Sequence, residues 1–297
     1  LAVEDAMCRF VAYRGDPLPL ADLIFRPANS LIHQAVDAVE SRTRINADGF
    51  GVGWYNFALS PEPAVFKDVT PAWNNLNLRS VSETVSSSCI FAHVRAAARN
   101  DPISRANCHP FQCGSLLWMH NGDVPGRGRL HQRVVGAVPA DLVARIRGNT
   151  DTELLFILFL SYLRPPFERR FDPGELVDAF RRVILQAEEW WRSDREERLL
   201  ALNLCVTDGW TVVASRFARA AAEIPSLHWC LGARYVFADG GCHITRAEGK
   251  AGCAVIASER LSDDVHWESV PPDHLIVVRN GLQVLVENVR RREAAIL

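Results

Sequence analysis

Residues 151–163 read DTELLFILFLSYL. In helical register this stretch is apolar on nearly every side, so it predicts a helix buried among other elements rather than one lying on a surface. Its entry, Thr150-Asp151-Thr152-Glu153, matches a capping box, with Thr150 as the cap and Glu153 three residues on. A second helix is expected over Glu175–Trp191, where Leu176, Val177, Phe180, Val183, Ile184, Ala187, Trp190 and Trp191 form one stripe. Such a stripe reads as core, and the oligomeric state is not legible from it.

Strand patterns flank this helical pair on both sides. Residues 8–13 (CRFVAY), Phe50–Tyr55, Cys89–Val94 and Ser115–His120 are compact strand candidates before it. After it, Leu200, Leu202, Leu204 and Val206 alternate with smaller or polar residues, and Asn280-Gly281 between His274–Arg279 and Leu282–Val289 is a hairpin-turn signal. A short helix is expected over Leu31–Val39, capped by Asn29-Ser30. Strands, then two helices, then strands, without βαβ alternation, predict an α+β fold with antiparallel sheets. A pair of sheets covered by helices fits this order, although the residues alone do not fix that topology.

Composition removes several function classes. The chain has 297 residues and a formal net charge of -2, and no basic stretch interleaved with aromatics, so nucleic acid is not an expected partner. The run Arg290-Arg291-Arg292 reads as a solvated end. No stretch approaches the roughly 20 apolar residues of a membrane span, and the leader Leu1–Met7 is acidic and too short for a secretory signal. Cys8, Cys89, Cys108, Cys113, Cys205, Cys230, Cys242 and Cys253 are scattered with no CxxC pair, which reads as reduced, mostly buried thiols and a cytoplasmic protein.

Met7-Cys8 raises a chemical question. A thiol has a reference pKa near 8.5 and an α-amine about 7.7–8.0. A cysteine at a chain start therefore carries its own base, provided nothing is peptide-linked ahead of it. On the dipeptide alone, a buried strand cysteine is the simpler reading.

Six segments taken together favour the nucleophile. Met7-Cys8, "NADGFGVGWY" at 46–55, "HVR" at 93–95, "NCHPF" at 107–111, "HNG" at 120–122 and "NTDTE" at 149–153 occur in the order and spacing of one family. The sequence resembles the glutaminase domain of the class II glutamine amidotransferases, a branch of the N-terminal-nucleophile hydrolases. The resemblance covers Met7 to about Leu163, and beyond that only the run of strands and "VIASE" at 255–259. It implies a four-layer αββα sandwich of two antiparallel sheets covered by helices. It also implies one amidotransferase domain over 8–297, behind a leader at 1–7 that is removed or belongs to an upstream start.

The resemblance assigns candidate roles, each beside a plainer one. Cys8 is the nucleophile. Arg95 grips the substrate carboxylate with its planar fork, where an ordinary arginine would form a surface ion pair. Asp151 pairs with the ligand ammonium, although an acid in a first helical turn is favoured without any ligand. His120 lines the substrate site. Asn121 and Gly122 form an oxyanion hole, where a plain Asn-Gly turn is the alternative. Asn46, Asp48 and Gly51 order the loop near the nucleophile. The spacing of Gly49, Gly51 and Gly53 is not a phosphate loop, because no GK[ST] follows.

Cys108, His109, Cys113, His93 and His120 are metal-ligand types, but their spacings match no common zinc knuckle, so neither metal nor cofactor is expected. One departure stands out: after "HVR" comes "AAA" at 96–98, where the family often has a Ser or Thr. The resulting expectation is a standalone amidase acting on glutamine or another small γ-glutamyl compound through a Cys8 thioester. Two alternatives stay open: a glutaminase subunit feeding ammonia to a separate acceptor enzyme, and a non-catalytic glutamyl-binding module with Cys8 capped.

Overall fold

The structure, a computed structural model, describes residues 7–41, 44–97, 102–220, 224–232, 234–238, 241–245, 252–263, 266–290 and 295–296. The leader Leu1–Ala6, Ala98 and the arginines at 291 and 292 lie outside them.

The strand Arg9–Pro19 shows how the layers arise. Phe10 and Ala12 belong to a core shared with the opposite sheet, whereas Val11 and Tyr13 belong to a second core under helices. A strand buried on both faces needs cover on both sides, and the apolar run CRFVAY supplies it. This strand pairs antiparallel with Ser86–Val94 and Cys253–Ala257. Across the sheet the order is Glu268–Ser269, His228–Gly232, Cys253–Ala257, Arg9–Pro19, Ser86–Val94, Phe50–Trp54 and Ala64–Asp68.

The second sheet runs Ala295–Ile296, Val284–Asn288, His274–Val278, Val212–Arg216, Leu200–Thr207, Leu116–Asp123 and Phe111–Cys113, with Ala218–Arg219 beside Leu200–Thr207. Its pairings are antiparallel as well. Leu117, Met119, Cys205 and Ile276 face the first sheet. Trp118, Leu202, Leu204 and Val277 face helices on the other side.

Leu20–Ile24, Leu31–Val36 and Leu76–Thr84 cover the outer face of the first sheet. Arg127–Ala137, Ala140–Val143, Asp151–Ser161 and Pro173–Ser193 cover the second. The four-layer αββα order expected from the sequence is therefore present. Asp151–Ser161 is buried from Asp151 through Leu160, with the Trp118 ring 5.8 Å from Phe156 and 5.1 Å from Phe159. It packs against Arg127–Ala137, Pro173–Ser193 and the second sheet.

Several boundaries moved for identifiable reasons. The helix expected over Leu31–Val39 stops at Val36, because the backbone N–H groups of Val39 and Glu40 turn away to donate to the Glu259 carboxylate at 3.1 and 3.0 Å. The strand expected over 8–13 runs on to Pro19 through an irregularity between Arg14 and Leu18. The strand expected over Ser115–His120 spans Leu116–Asp123, so Asn121 and Gly122 are strand residues opposite Asn203 and Leu202, not a turn. At the capping box, Thr150 Oγ1 accepts from Glu153 N at 3.2 Å, but the Glu153 carboxylate reaches the N–H groups of Arg147 and Gly148 instead. The hairpin turn at Asn280-Gly281 takes in Leu282 too, with positive φ at both Gly281 and Leu282. Among the described residues no helix is long and apolar enough to cross a membrane.

Candidate active site

Cys8 lies at the mouth of the layer between the sheets. It precedes Arg9–Pro19 with the same parity as Phe10 and Ala12, which face the opposite sheet. The same alternation aims Arg95 inward, in step with Cys89 and Phe91, and Asn121 inward, in step with Leu117 and Met119.

Two contacts hold Cys8, and an ion pair backs one of them. Its Sγ donates to the Ala96 carbonyl at 3.5 Å. Arg9 Nη1 donates to the Cys8 carbonyl at 2.6 Å, and Arg9 Nε donates to Glu259 Oε1 at 2.7 Å. Burial pushes the thiol up to about 11, with the cations of Arg95 and Arg9 pulling it back only in part. In that setting the sulfur stays protonated at neutral pH unless a base takes its proton.

Arg95 follows the strand Ser86–Val94 and is buried. Its backbone N–H donates to Gly49 O at 2.8 Å and its carbonyl accepts from Asp48 N at 3.0 Å. Asp48 Oδ2 then accepts from Ala97 N at 2.8 Å, so the 46–49 turn clamps the chain on both sides of Arg95. Asn46, fully buried, braces the same turn through Nδ2 on Gln34 O at 3.2 Å and its own N–H on Ala35 O. Gly51 is required for a close approach: a Cβ there would sit 2.0 Å from His109 O. The partner of that glycine is thus the His109 backbone and not Cys8.

The opposite wall comes from the second sheet and the buried helix. Asp151 Oδ1 accepts from Thr152 N at 2.7 Å and Oδ2 from Val124 N at 2.9 Å, which fixes the carboxylate and leaves lone pairs over. A Cβ on Gly122 would meet Ala201 O at 2.1 Å and His120 Nε2 at 2.6 Å, so only glycine fits. His120 is enclosed, with Nε2 donating to Ala201 O at 2.9 Å and Nδ1 against Thr152 Oγ1 at 3.1 Å. Both ring nitrogens are engaged inside the protein, so His120 ties the helix start to the sheet.

Cys8, Arg95, His120, Gly122 and Asp151 line one small pocket, with His109 and Arg127 beside them. Asn121, Asn46, Asp48 and Gly51 are not among the residues that line it. A cation, a carboxylate and a thiol lining one pocket suit a ligand that carries both a carboxylate and an ammonium.

Sequence reasoning missed several residues here. Asn121 Nδ2 meets Ser258 Oγ at 3.3 Å, and the same Oγ accepts from Phe10 N at 3.1 Å. Ser258 and Glu259 thereby connect the distant VIASE segment to Cys8. The available signal was Arg9, a charged residue inside an apolar strand, which demands a buried partner. Behind the pocket His93 Nε2 lies 3.1 Å from His120 O and 2.7 Å from His109 Nδ1. Burial holds both rings neutral, His93 down to about 3 and His109 well below its usual range. Among the described residues no group of three His, Cys, Asp or Glu side chains is placed to hold a metal ion, and Cys8, Cys89, Cys108, Cys113, Cys205, Cys230 and Cys253 are free thiols.

Comparison with known proteins identifies the family. The profile of the family described as "Glutamine amidotransferases class-II" matches residues 28–296. The probable glutamine amidotransferase DUG3 of Saccharomyces cerevisiae is 34% identical over 92% of this chain and 82% of its own length. The gamma-glutamyl-hercynylcysteine sulfoxide hydrolase of Mycobacterium tuberculosis is 31% identical over 92% and 93%. Among solved structures, a glutamine aminotransferase class-II domain protein from Silicibacter pomeroyi superposes with a TM-score of 0.63 at 25% identity, covering 96% of this chain and all of that one. The glutamine phosphoribosylpyrophosphate amidotransferase of B. subtilis shares the fold, with a TM-score of 0.58 at 14% identity, over 96% of this chain and 50% of that one. The chain belongs to the class II glutamine amidotransferases, within the N-terminal-nucleophile hydrolase superfamily.

Proposed function

We propose that this protein hydrolyses the γ-amide bond of glutamine or of a γ-glutamyl compound through a thioester on Cys8. The observation that carries the reading is the convergence of Cys8, Arg95 and Asp151 on one pocket, from three elements far apart in sequence. Glutamyl donors present one carboxylate and one ammonium next to the scissile amide. Arg95 binds the first and Asp151 the second, which leaves the γ-carbonyl beside Sγ.

The raised thiol pKa makes a proton acceptor necessary. In this reading the acceptor is the α-amine of Cys8 itself, free once nothing precedes it. The amine takes the Sγ proton. Sulfur attacks the γ-carbonyl carbon, and the C=O π pair moves onto oxygen. The Gly122 N–H and the Asn121 amide meet that oxyanion. For Asn121 to donate, its amide turns over, so that the Ser258 hydroxyl donates to Oδ1 and Nδ2 faces the substrate. Collapse of the intermediate breaks the C–N bond, and the protonated amine passes its proton to the leaving nitrogen. Water then attacks the thioester, the C–S bond breaks, the sulfur regains a proton and glutamate leaves.

His120 acts in this scheme as a positioning residue for Thr152, Asp151 and Gly122. Two relatives of the chain over nearly their whole length are named as γ-glutamyl hydrolases, which supports hydrolysis of a small γ-glutamyl compound.

The test is glutamate release from a panel of γ-glutamyl amides, with intact-mass measurement of the protein from its own cells. Cys8→Ala is expected to abolish turnover, and active protein is expected to begin at Cys8. Parent-like rates in Cys8→Ala would discard the assignment.

A further inference from the structure

A second and roomier cleft, of about 620 Å³, opens on the other side of the wall that carries His109 and Thr152. That volume is in the range of small-molecule sites. Its lining is mixed, with Val65, Phe111, Phe156, Ile157 and Leu160 contributing the apolar part. Lys67, Arg105, Arg145 and Arg147 stand around it, in a chain whose formal net charge is -2.

These cations outnumber the acids that line the cleft with them. Among the described residues none of the four is in an ion pair. Lys67 Nζ donates to the Cys108 carbonyl at 2.9 Å and lies 5.3 Å from the Phe111 ring centre, half-buried, with Glu153 the carboxylate whose charge acts on it. Arg145 Nη1 reaches only the Cys113 sulfur, at 3.6 Å. The single carboxylate in the lining is Glu153, and its two oxygens accept from the backbone N–H groups of Arg147 and Gly148. Outside the lining, Glu62 and Glu168 act on the Cys113 thiol at one end of the cleft. A concave surface of mixed polarity that carries four cations and one carboxylate suits an anionic head on a partly apolar body.

We propose that this cleft is a second ligand site, separate from the pocket at Cys8, that binds an organic anion with an apolar or aromatic body. Arg105 and Arg147 hold the anion in their planar forks, Lys67 adds a third charge, and Phe111, Phe156 and Ile157 take the body. The site abuts the chemistry. His109 and Thr152 line the pocket at Cys8, while their chain neighbours Pro110 and Glu153 line the cleft. The two loops that bear the arginines are tied together by Asn107 Nδ2 on Asn149 Oδ1 at 2.8 Å and Asn149 N on Asn107 Oδ1 at 3.1 Å. An occupant that draws Arg105 and Arg147 together acts on the same loops that carry His109 and Asp151.

Isothermal titration of the full chain carrying Cys8→Ala tests the site without any turnover, so its outcome is independent of the role given to Cys8. The probes are phenyl phosphate, phthalate and inorganic phosphate at low salt, where charge screening is weak. One-to-one binding of phenyl phosphate or phthalate is expected, tighter than inorganic phosphate and weakened at least about tenfold by the double change Arg105→Ser and Arg147→Ser. The tighter of the two aromatic probes identifies the anion as phosphate or carboxylate. Both arginines are exposed, and an unchanged circular dichroism spectrum checks that the double variant folds. No saturable heat with either aromatic anion, inorganic phosphate binding just as tightly, or equal affinity in parent and double variant overturns the proposal.

Discussion

Arg9 and Glu259, 250 positions apart, form an ion pair at 2.7 Å with side chains 2% and 0% exposed, directly behind Cys8. The pair is part of a larger knot. Glu259 also accepts from the N–H groups of Val39 and Glu40, and Arg9 also donates to the Cys8 carbonyl. Removing one member leaves the other charge buried and uncompensated, which costs about 3–5 kcal/mol. Arg9→Met is therefore expected to lower the unfolding free energy by that amount in a urea titration. Adding Glu259→Gln to it is expected to recover part of the loss. If the double variant loses the full sum of the two single changes, the pair is not acting as a unit.

The thiol of Cys8 gives a pH signature. With residues still attached ahead of it, its pKa near 11 means little thiolate at neutral pH, and alkylation by iodoacetamide should rise with pH toward that value. Once Cys8 is the first residue, its amine supplies a base and the rise should move toward the range of an α-amine, about 7.7–8.0. Mass spectrometry of the peptide containing Cys8 reads this directly. Coincident profiles for the two forms would remove the amine from the mechanism.

His93 and His109 give a stability signature. Both are pushed below the ordinary imidazole value by burial, His93 to about 3. A lowered folded-state pKa means that the unfolded chain binds more protons, so stability is fully present above the unfolded value near 6.5 and falls as pH drops below it. His93 contributes a loss of about 1.6 kcal/mol between pH 6.5 and pH 5, a window largely above carboxylate titration, and His109 a loss of the same sign. Urea titrations at those two pH values in the parent and in His93→Phe separate this effect, and the variant should be the flatter of the two.

How legible all this was depends on the range of the interaction. Asp151–Ser161 could be read because its apolar saturation is local, and the antiparallel layers followed from the order of elements. Arg127–Ala137 could not, since only Leu130 and Val134 are buried and the rest of its face is polar. Asn121-Gly122 carries a turn signal that loses to pairing with Asn203 and Leu202, a partnership no local window contains. The same limit hid the Arg9–Glu259 pair and the link from Ser258 to Asn121. His120 was expected at the ligand, and only the fold reveals that Ala201 and Thr152 occupy both of its nitrogens.

Arg95 and Asn121 should separate binding from chemistry. Arg95 lines the pocket, and in the proposed scheme its fork binds the donor carboxylate, so a lysine there keeps the charge but loses the two-pronged geometry. Arg95→Lys is expected to raise KM strongly and to change kcat little, because the carboxylate contact is present in ground state and transition state alike. Asn121 is buried next to the lining residues His120 and Gly122, and in the proposed scheme its amide serves the charge that builds on the carbonyl oxygen. Asn121→Ala is expected to lower kcat by about a hundredfold to a thousandfold with KM nearly unchanged, the usual loss for one oxyanion donor. Steady-state kinetics on a single γ-glutamyl amide measure both. Should Asn121→Ala raise KM and spare kcat, its contact with Ser258 is structural, and the oxyanion falls to the Gly122 N–H alone.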